Sequence, residues 1–144
     1  MSITNLIKLT QEGEQWEQIK DFHNYYVSSY GRVYGTGKNH IEKGEYSKRG
    51  YRSVRLYSAE YPNGKKIKVA RLVAAAFCDG YSDDKEIHHC DLDVKNDKAS
   101  NLLPVTHDEH VAIHRAINRF ILALCDMVQA YKKTTDDESE VAAA

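Results

Sequence analysis

Five of the seven histidines fall between positions 88 and 114: His88, His89, His107, His110 and His114. His110 and His114 stand one helical turn apart, so a helix through them presents two imidazoles on one face, a common way to bind a divalent metal. His88-His89 precede a loop, Asp91 to Ser100, and a short apolar run follows it, Asn101-Leu102-Leu103-Pro104-Val105. Two short extended segments and a helix make a ββα unit, in which His88 or His89 can lie near His110 and His114. The chemistry this supports is one-metal phosphodiester hydrolysis. Three side chains fix a divalent ion that neutralises a phosphate oxygen and the leaving oxygen, and a separate imidazole takes a proton from water at neutral pH. Adjacent strand residues point to opposite sides, so one of His88 and His89 as ligand and the other as base is the natural division. The same residues would also suit a purely structural zinc site, and any one of them alone reads as a surface histidine.

The elements needed to position these side chains are legible. Thr106-His107-Asp108-Glu109 reads as a capping box, with Thr106 at the N-cap and Glu109 reaching back, and acidic residues in the first turn suit the helix dipole. Val111, Ile113, Ile117, Phe120, Ile121, Leu124, Met127 and Val128 give that helix an apolar stripe, with its end expected near Tyr131. Residues 132–144 read as a disordered acidic tail. Upstream, Val69 to Phe77 reads as a short apolar helix stopped near Gly80. Tyr51 to Tyr57 alternates as a strand, Tyr61-Pro62-Asn63-Gly64 is a turn, and Lys65 to Val69 is the returning strand. Tyr25 to Ser28 and Arg32 to Tyr34 flank Ser29-Tyr30-Gly31 as a hairpin. Residues 1–14 read as a loose leader.

The net charge of −1 conceals a segregation. Residues 32–71 carry 11 basic and 3 acidic groups, net +8, whereas residues 79–109 carry 3 basic and 9 acidic groups, net −6. The basic block, with tyrosines interleaved through Lys48-Arg49-Gly50-Tyr51-Arg52, suits a surface that tracks phosphates. A solvated strand face with long cationic side chains has the same composition.

The segment Ile87-His88-His89-Cys90-Asp91, Asn101-Leu102, His110 and His114 resembles the ββα-metal motif of the HNH (His-Me finger) endonucleases. Trp16-Glu17-Gln18-Ile19-Lys20, Tyr26-Val27-Ser28 and Gly31-Arg32-Val33 resemble the nuclease-associated modular domain that precedes HNH motifs in phage and intron homing endonucleases. Val69 to Phe77 resembles the helix leading into the motif. The resemblance implies an α+β chain with a leader (1–14), a small antiparallel β module (15–68), an HNH unit with a connecting helix and a long C-terminal helix (69–131), and a tail (132–144). It also implies roles. His89 matches the general base, and Asn101 matches the asparagine that orients the loop. His88, His110 and His114 match metal ligands. Arg32, Lys48, Arg49, Arg52, Arg55 and Arg71 are the expected DNA-binding residues. The family implies double-stranded DNA as substrate and cleavage to 5′-phosphate and 3′-hydroxyl ends. Two positions depart from its usual pattern: Ala70 stands where relatives often have His, and Asp91-Leu92-Asp93 where they often have Asp-Gly-Asn.

One divalent ion is the expected cofactor. Three imidazoles favour Zn²⁺ or Ni²⁺, and a more open site would take Mg²⁺ or Mn²⁺. The rival expectation is a non-catalytic DNA-binding regulator with a metal-held ββα scaffold. Phosphate contacts alone do not separate DNA from RNA. About 30 residues follow His114, so the C-terminal helix is expected to close the core or pair two subunits as a homodimer, rather than to add a helix-turn-helix. No apolar run is long enough to span a membrane. Three cysteines without a CxxC pair argue against a disulfide framework. A cytoplasmic location follows, that of a host cell if the gene belongs to a phage.

Overall fold

The computed structural model describes residues 4–143, apart from the side chains of residues 136–141. It divides into two units, Met1–Val105 and Thr106–Ala144.

Among the described residues, the first unit contains three antiparallel sheets, two α-helices and a 3-10 helix at Ala99–Asn101. The expected leader contains a helix, α1 (Thr4–Leu9), in which Leu6 is buried. Strands β1 (Trp16–Gln18), β2 (Tyr25–Ser28), β3 (Val33–Gly35) and β4 (His40–Ile41) form a sheet in that order. The β2–β3 turn is braced by Ser28, whose hydroxyl accepts hydrogen bonds from the Tyr30 and Arg32 amides at 3.2 and 3.0 Å. Gly31 turns the chain with φ +80°, a conformation that costs an L-residue about 1–2 kcal/mol.

Strands β5 (Glu45–Tyr46), β6 (Arg52–Leu56) and β7 (Lys65–Lys68) form the second sheet. The alternation of β6 buries Val54 and Leu56 and leaves Arg55 exposed. Helix α2 (Val69–Phe77) follows β7 without a break and buries Val69, Ala70, Leu72, Val73 and Ala74. It packs on β2, β6, β7, and on β8 (Glu86–His89) and β9 (Leu102–Val105), the strands of the third sheet. One apolar core therefore joins Ile19, Phe22, Val27 and Val33 to Val54, Leu56, Val73 and Leu102. This core includes residues from both sides of position 68.

The second unit is helix α3 (His107–Ala143) with its cap. The capping box is reciprocal: the Glu109 amide donates to Thr106 Oγ1 at 3.2 Å, and the Thr106 amide to Glu109 Oε2 at 2.7 Å. The helix does not end near Tyr131 but continues through the expected tail to Ala143. Residues 132–143 contain no Gly or Pro to stop it, and Lys, Glu and Ala favour helix. Thr134 and Thr135 return their hydroxyls to the Tyr131 carbonyl at 2.7 and 3.3 Å, which accommodates two poor helix formers.

Candidate active site

Strand β8 carries His88 and His89, opposite Leu103 and Leu102 of β9. Both histidines are 5% exposed. His89 Nε2 lies 3.0 Å from Asp97 Oδ1, and Asp97 is itself 5% exposed. The other carboxylate oxygen, Asp97 Oδ2, is buried with no hydrogen-bond partner among the described residues. The Tyr51 ring lies against the His89 ring at 6.0 Å between centroids, and Lys68 Nζ stands 4.7 Å over Tyr51.

The loop after the histidines is tied by Asn101. Its amide nitrogen donates to Asp91 Oδ1 and to the Asn96 carbonyl, both at 2.9 Å, and its oxygen accepts from the Asp91 amide at 3.0 Å. Hydrogen bonds from the Asn96 amide, the Asp93 backbone and Asn101 hold the Asp91 carboxyl below the usual carboxylate range. Leu92 takes φ +65°, a left-handed conformation, at the position where the HNH resemblance leads to the expectation of glycine. The surrounding hydrogen bonds over-determine it, at a cost of about 1–2 kcal/mol.

The β2–β3 turn closes over this loop. The Ala99 amide donates to the Ser29 carbonyl at 2.8 Å. Arg52 Nη2 donates to the Gly31 carbonyl. A Cβ on Gly31 would meet Asp97 Cβ at 2.9 Å and the Asp97 carbonyl oxygen at 3.0 Å.

In the second unit, His110 and His114 face each other across one turn of α3, with Nε2 atoms 3.1 Å apart. The pair could supply two ring nitrogens to one divalent ion, which would act there as a Lewis acid.

The expected DNA-binding residues fall into two groups. Arg32 is engaged internally: it pairs with Glu14 through Nε and Nη2, donates to the Leu9 carbonyl, and lies 5.2 Å over the Trp16 ring. Arg52 is engaged by the Gly31 carbonyl, and Arg71 donates to the Lys85 and Asp83 carbonyls at 2.8 and 3.2 Å. These guanidiniums act as struts between segments. Lys48, Arg49 and Arg55 are exposed. Lys48 and Arg49 line an open depression of about 500 Å³ with Tyr46, Ser47, Gly50 and Lys95. Lys95 was hidden from sequence reasoning by its acidic neighbours, and Asp97 by the absence of any local pattern linking it to His89.

Burial pushes the Glu14 carboxyl up, but hydrogen bonds from Arg32 and the Gln11 amide outweigh it and leave it below its ordinary value of 4.5. A lowered folded-state value gives stability that is present above the unfolded value and lost as pH falls through the folded one. Glu14→Gln is therefore expected to flatten the stability loss at pH 4.5 and below, checked by thermal melts across that range.

A β-hairpin ending in paired histidines, an asparagine-tied loop and a capped helix with a further histidine pair follow one another in the chain order that the HNH resemblance implies. Residues 14–57 match the NUMOD4 motif. The chain is 34% identical over 98 residues to the DNA endonuclease I-HmuI of Bacillus phage SP01, which covers 67% of this chain and 55% of that relative. It is 29% identical over 101 residues to the H-N-H endonuclease F-TflII of Escherichia phage T5, which covers 67% of this chain and 50% of that one. A solved structure describing DNA binding and cleavage by the HNH homing endonuclease I-HmuI matches with a TM-score of 0.64 at 31% identity, over 73% of this chain and 59% of that one. Over the part it matches, the chain is thus similar in sequence and fold to HNH homing endonucleases, and it carries a NUMOD4 motif. It spans about half the length of the curated relatives it matches. Among the described residues, no helix is long and apolar enough to cross a membrane.

Proposed function

We propose that the protein is a metal-dependent endonuclease that hydrolyses DNA phosphodiester bonds in the host-cell cytoplasm. The observation that carries this reading is His89: a buried, hydrogen-bonded imidazole beside a second histidine has no use in a scaffold that merely holds metal. By the HNH resemblance, His88, His110 and His114 would each give one ring nitrogen to a divalent ion. The donor chemistry favours Zn²⁺ or Ni²⁺ over Mg²⁺, which prefers oxygen ligands. When bound, such an ion neutralises charge on a phosphate oxygen and on the leaving oxygen. His89 takes the proton from the attacking water, and Asn101 keeps the loop behind it in place.

The experiment is incubation with supercoiled plasmid in the presence of Mg²⁺, Mn²⁺, Zn²⁺ or Ni²⁺. Nicking under at least one metal is expected. DNA binding without nicking under every metal would leave the regulator reading in its place.

The exposed cations Lys48, Arg49 and Arg55 would grip backbone phosphates, with Lys95 beside the first two. Each phosphate that the protein ceases to neutralise lowers the slope of log affinity against log salt by about 0.9. Lys48→Ala with Arg49→Ala is therefore expected to flatten that slope by about 2 units in a salt titration of duplex binding. An unchanged slope would remove the depression from the interface.

The C-terminal helix would pair two copies of the chain. Ile113, Ile117, Phe120, Leu124, Met127 and Tyr131 alternate in steps of four and three, the seam of a two-helix coiled coil. Phe120, Leu124, Met127 and Tyr131 are exposed. Sedimentation equilibrium is expected to show a dimer that Leu124→Lys dissociates; a monomeric wild type would refute the pairing.

A further inference from the structure

The carboxylate of Asp97 has no role in the mechanism so far, yet its burial is costly. An ionised group taken from water loses several kcal/mol of hydration unless its hydrogen bonds are replaced. Here one oxygen has a partner, His89 Nε2 at 3.0 Å, and the other has none among the described residues. Packing alone would be served as well by an uncharged side chain of the same shape. An orphaned buried polar atom calls for an explanation of this kind.

We infer that Asp97 is the positioning residue for His89: its carboxylate accepts the Nε2 proton, fixing the ring's orientation and leaving Nδ1 as the lone-pair nitrogen that meets water. This rests on the reading of His89 as the base. A neutral imidazole carries one proton, and a carboxylate only accepts, so the pairing selects the tautomer. The N-terminal module takes part. Gly31, with no side chain, lets the β2–β3 turn close on Asp97, and the Ser29 carbonyl receives the Ala99 amide from the same loop at 2.8 Å. The module thereby helps hold the catalytic loop, a role separate from any grip on DNA.

Asp97→Asn keeps the shape and removes the carboxylate. It is expected to slow nicking about 100-fold with duplex affinity unchanged. In a His89→Ala background the same change is expected to cost nothing further. Nitrogen-15 spectra of the imidazole, which need neither metal nor activity, should show the His89 proton on Nε2 in the wild type and redistributed in Asp97→Asn. Wild-type cutting by Asp97→Asn, an equal loss in the His89→Ala background, or a wild-type proton on Nδ1 would each overturn the proposal. Unchanged cutting by His89→Ala alone would remove the base assignment instead, and the tautomer would then decide whether Asp97 governs the ring.

Discussion

His89→Ala is expected to reduce plasmid nicking by about 10²–10⁴-fold, the usual contribution of a positioned general base, while leaving duplex affinity near the wild-type value. The expectation follows from placement. His89 is 5% exposed, its ring against a tilted Tyr51 ring and its Nε2 beside Asp97, so only one part of it is available for chemistry. Its removal deletes a proton acceptor without deleting any of the exposed cations Lys48, Arg49 or Arg55. Gel-based nicking rates and duplex binding, measured on the same preparation, separate the two effects. Equal cutting by the variant would sink the assignment, whereas a matched fall in cutting and binding would mean that the fold had been disturbed. A thermal melt distinguishes the last case, because alanine at a buried position also leaves a cavity costing roughly 2–4 kcal/mol.

Gly31→Val is the second large effect. A side chain there faces two penalties at once. The backbone sits at φ +80°, where a β-branched residue is strained. The new Cβ would also stand 2.9 Å from Asp97 Cβ and 3.0 Å from the Asp97 carbonyl oxygen. Backbone on the far side cannot swing away as a long side chain would, so the turn or the loop must shift. A destabilisation of about 2–4 kcal/mol is expected, read from denaturant melts, together with loss of nicking beyond what the stability change explains. Gly31→Ala should fall between this variant and wild type. Wild-type stability in Gly31→Val would mean that the turn does not hold the loop that carries Asp97.

How much of this was open to sequence reading differs by element. The β6–β7 hairpin, α2 and the α3 cap were legible because each depends on neighbours in the chain: an alternating pattern, an apolar run, a threonine three residues before a glutamate. The histidine pairs were legible for the same reason, since their spacing is a local quantity. Helix α1 escaped because its single buried residue, Leu6, gains its stability from packing rather than from any periodicity. The end of α3 was misread because composition suggested disorder, although nothing in residues 132–143 interrupts a helix.

The charge reading shows the limit of composition most directly. Net +8 over residues 32–71 pointed correctly to a surplus of cations. It could not say which of them reach solvent. Arg32 is drawn to Glu14, 18 positions away, and Arg52 to the Gly31 carbonyl, 21 positions away. Such partners become available only when strands are brought together, because a buried carbonyl or carboxylate must find a donor wherever the fold supplies one.

The residues able to do chemistry, their spacing and the short elements carrying them were thus already present in the chain order of this protein. Local hydrogen bonding and the periods of helix and strand depend on near neighbours alone. Folding added the assignment of partners. It set Asp97 against His89, Gly31 against Asp97, and Lys95 beside Lys48 and Arg49, and it tied the half-buried Arg32 and Arg52 to internal acceptors. These pairings depend on burial and on which polar groups are left unsatisfied when the three sheets pack about α2, quantities defined only once distant segments touch.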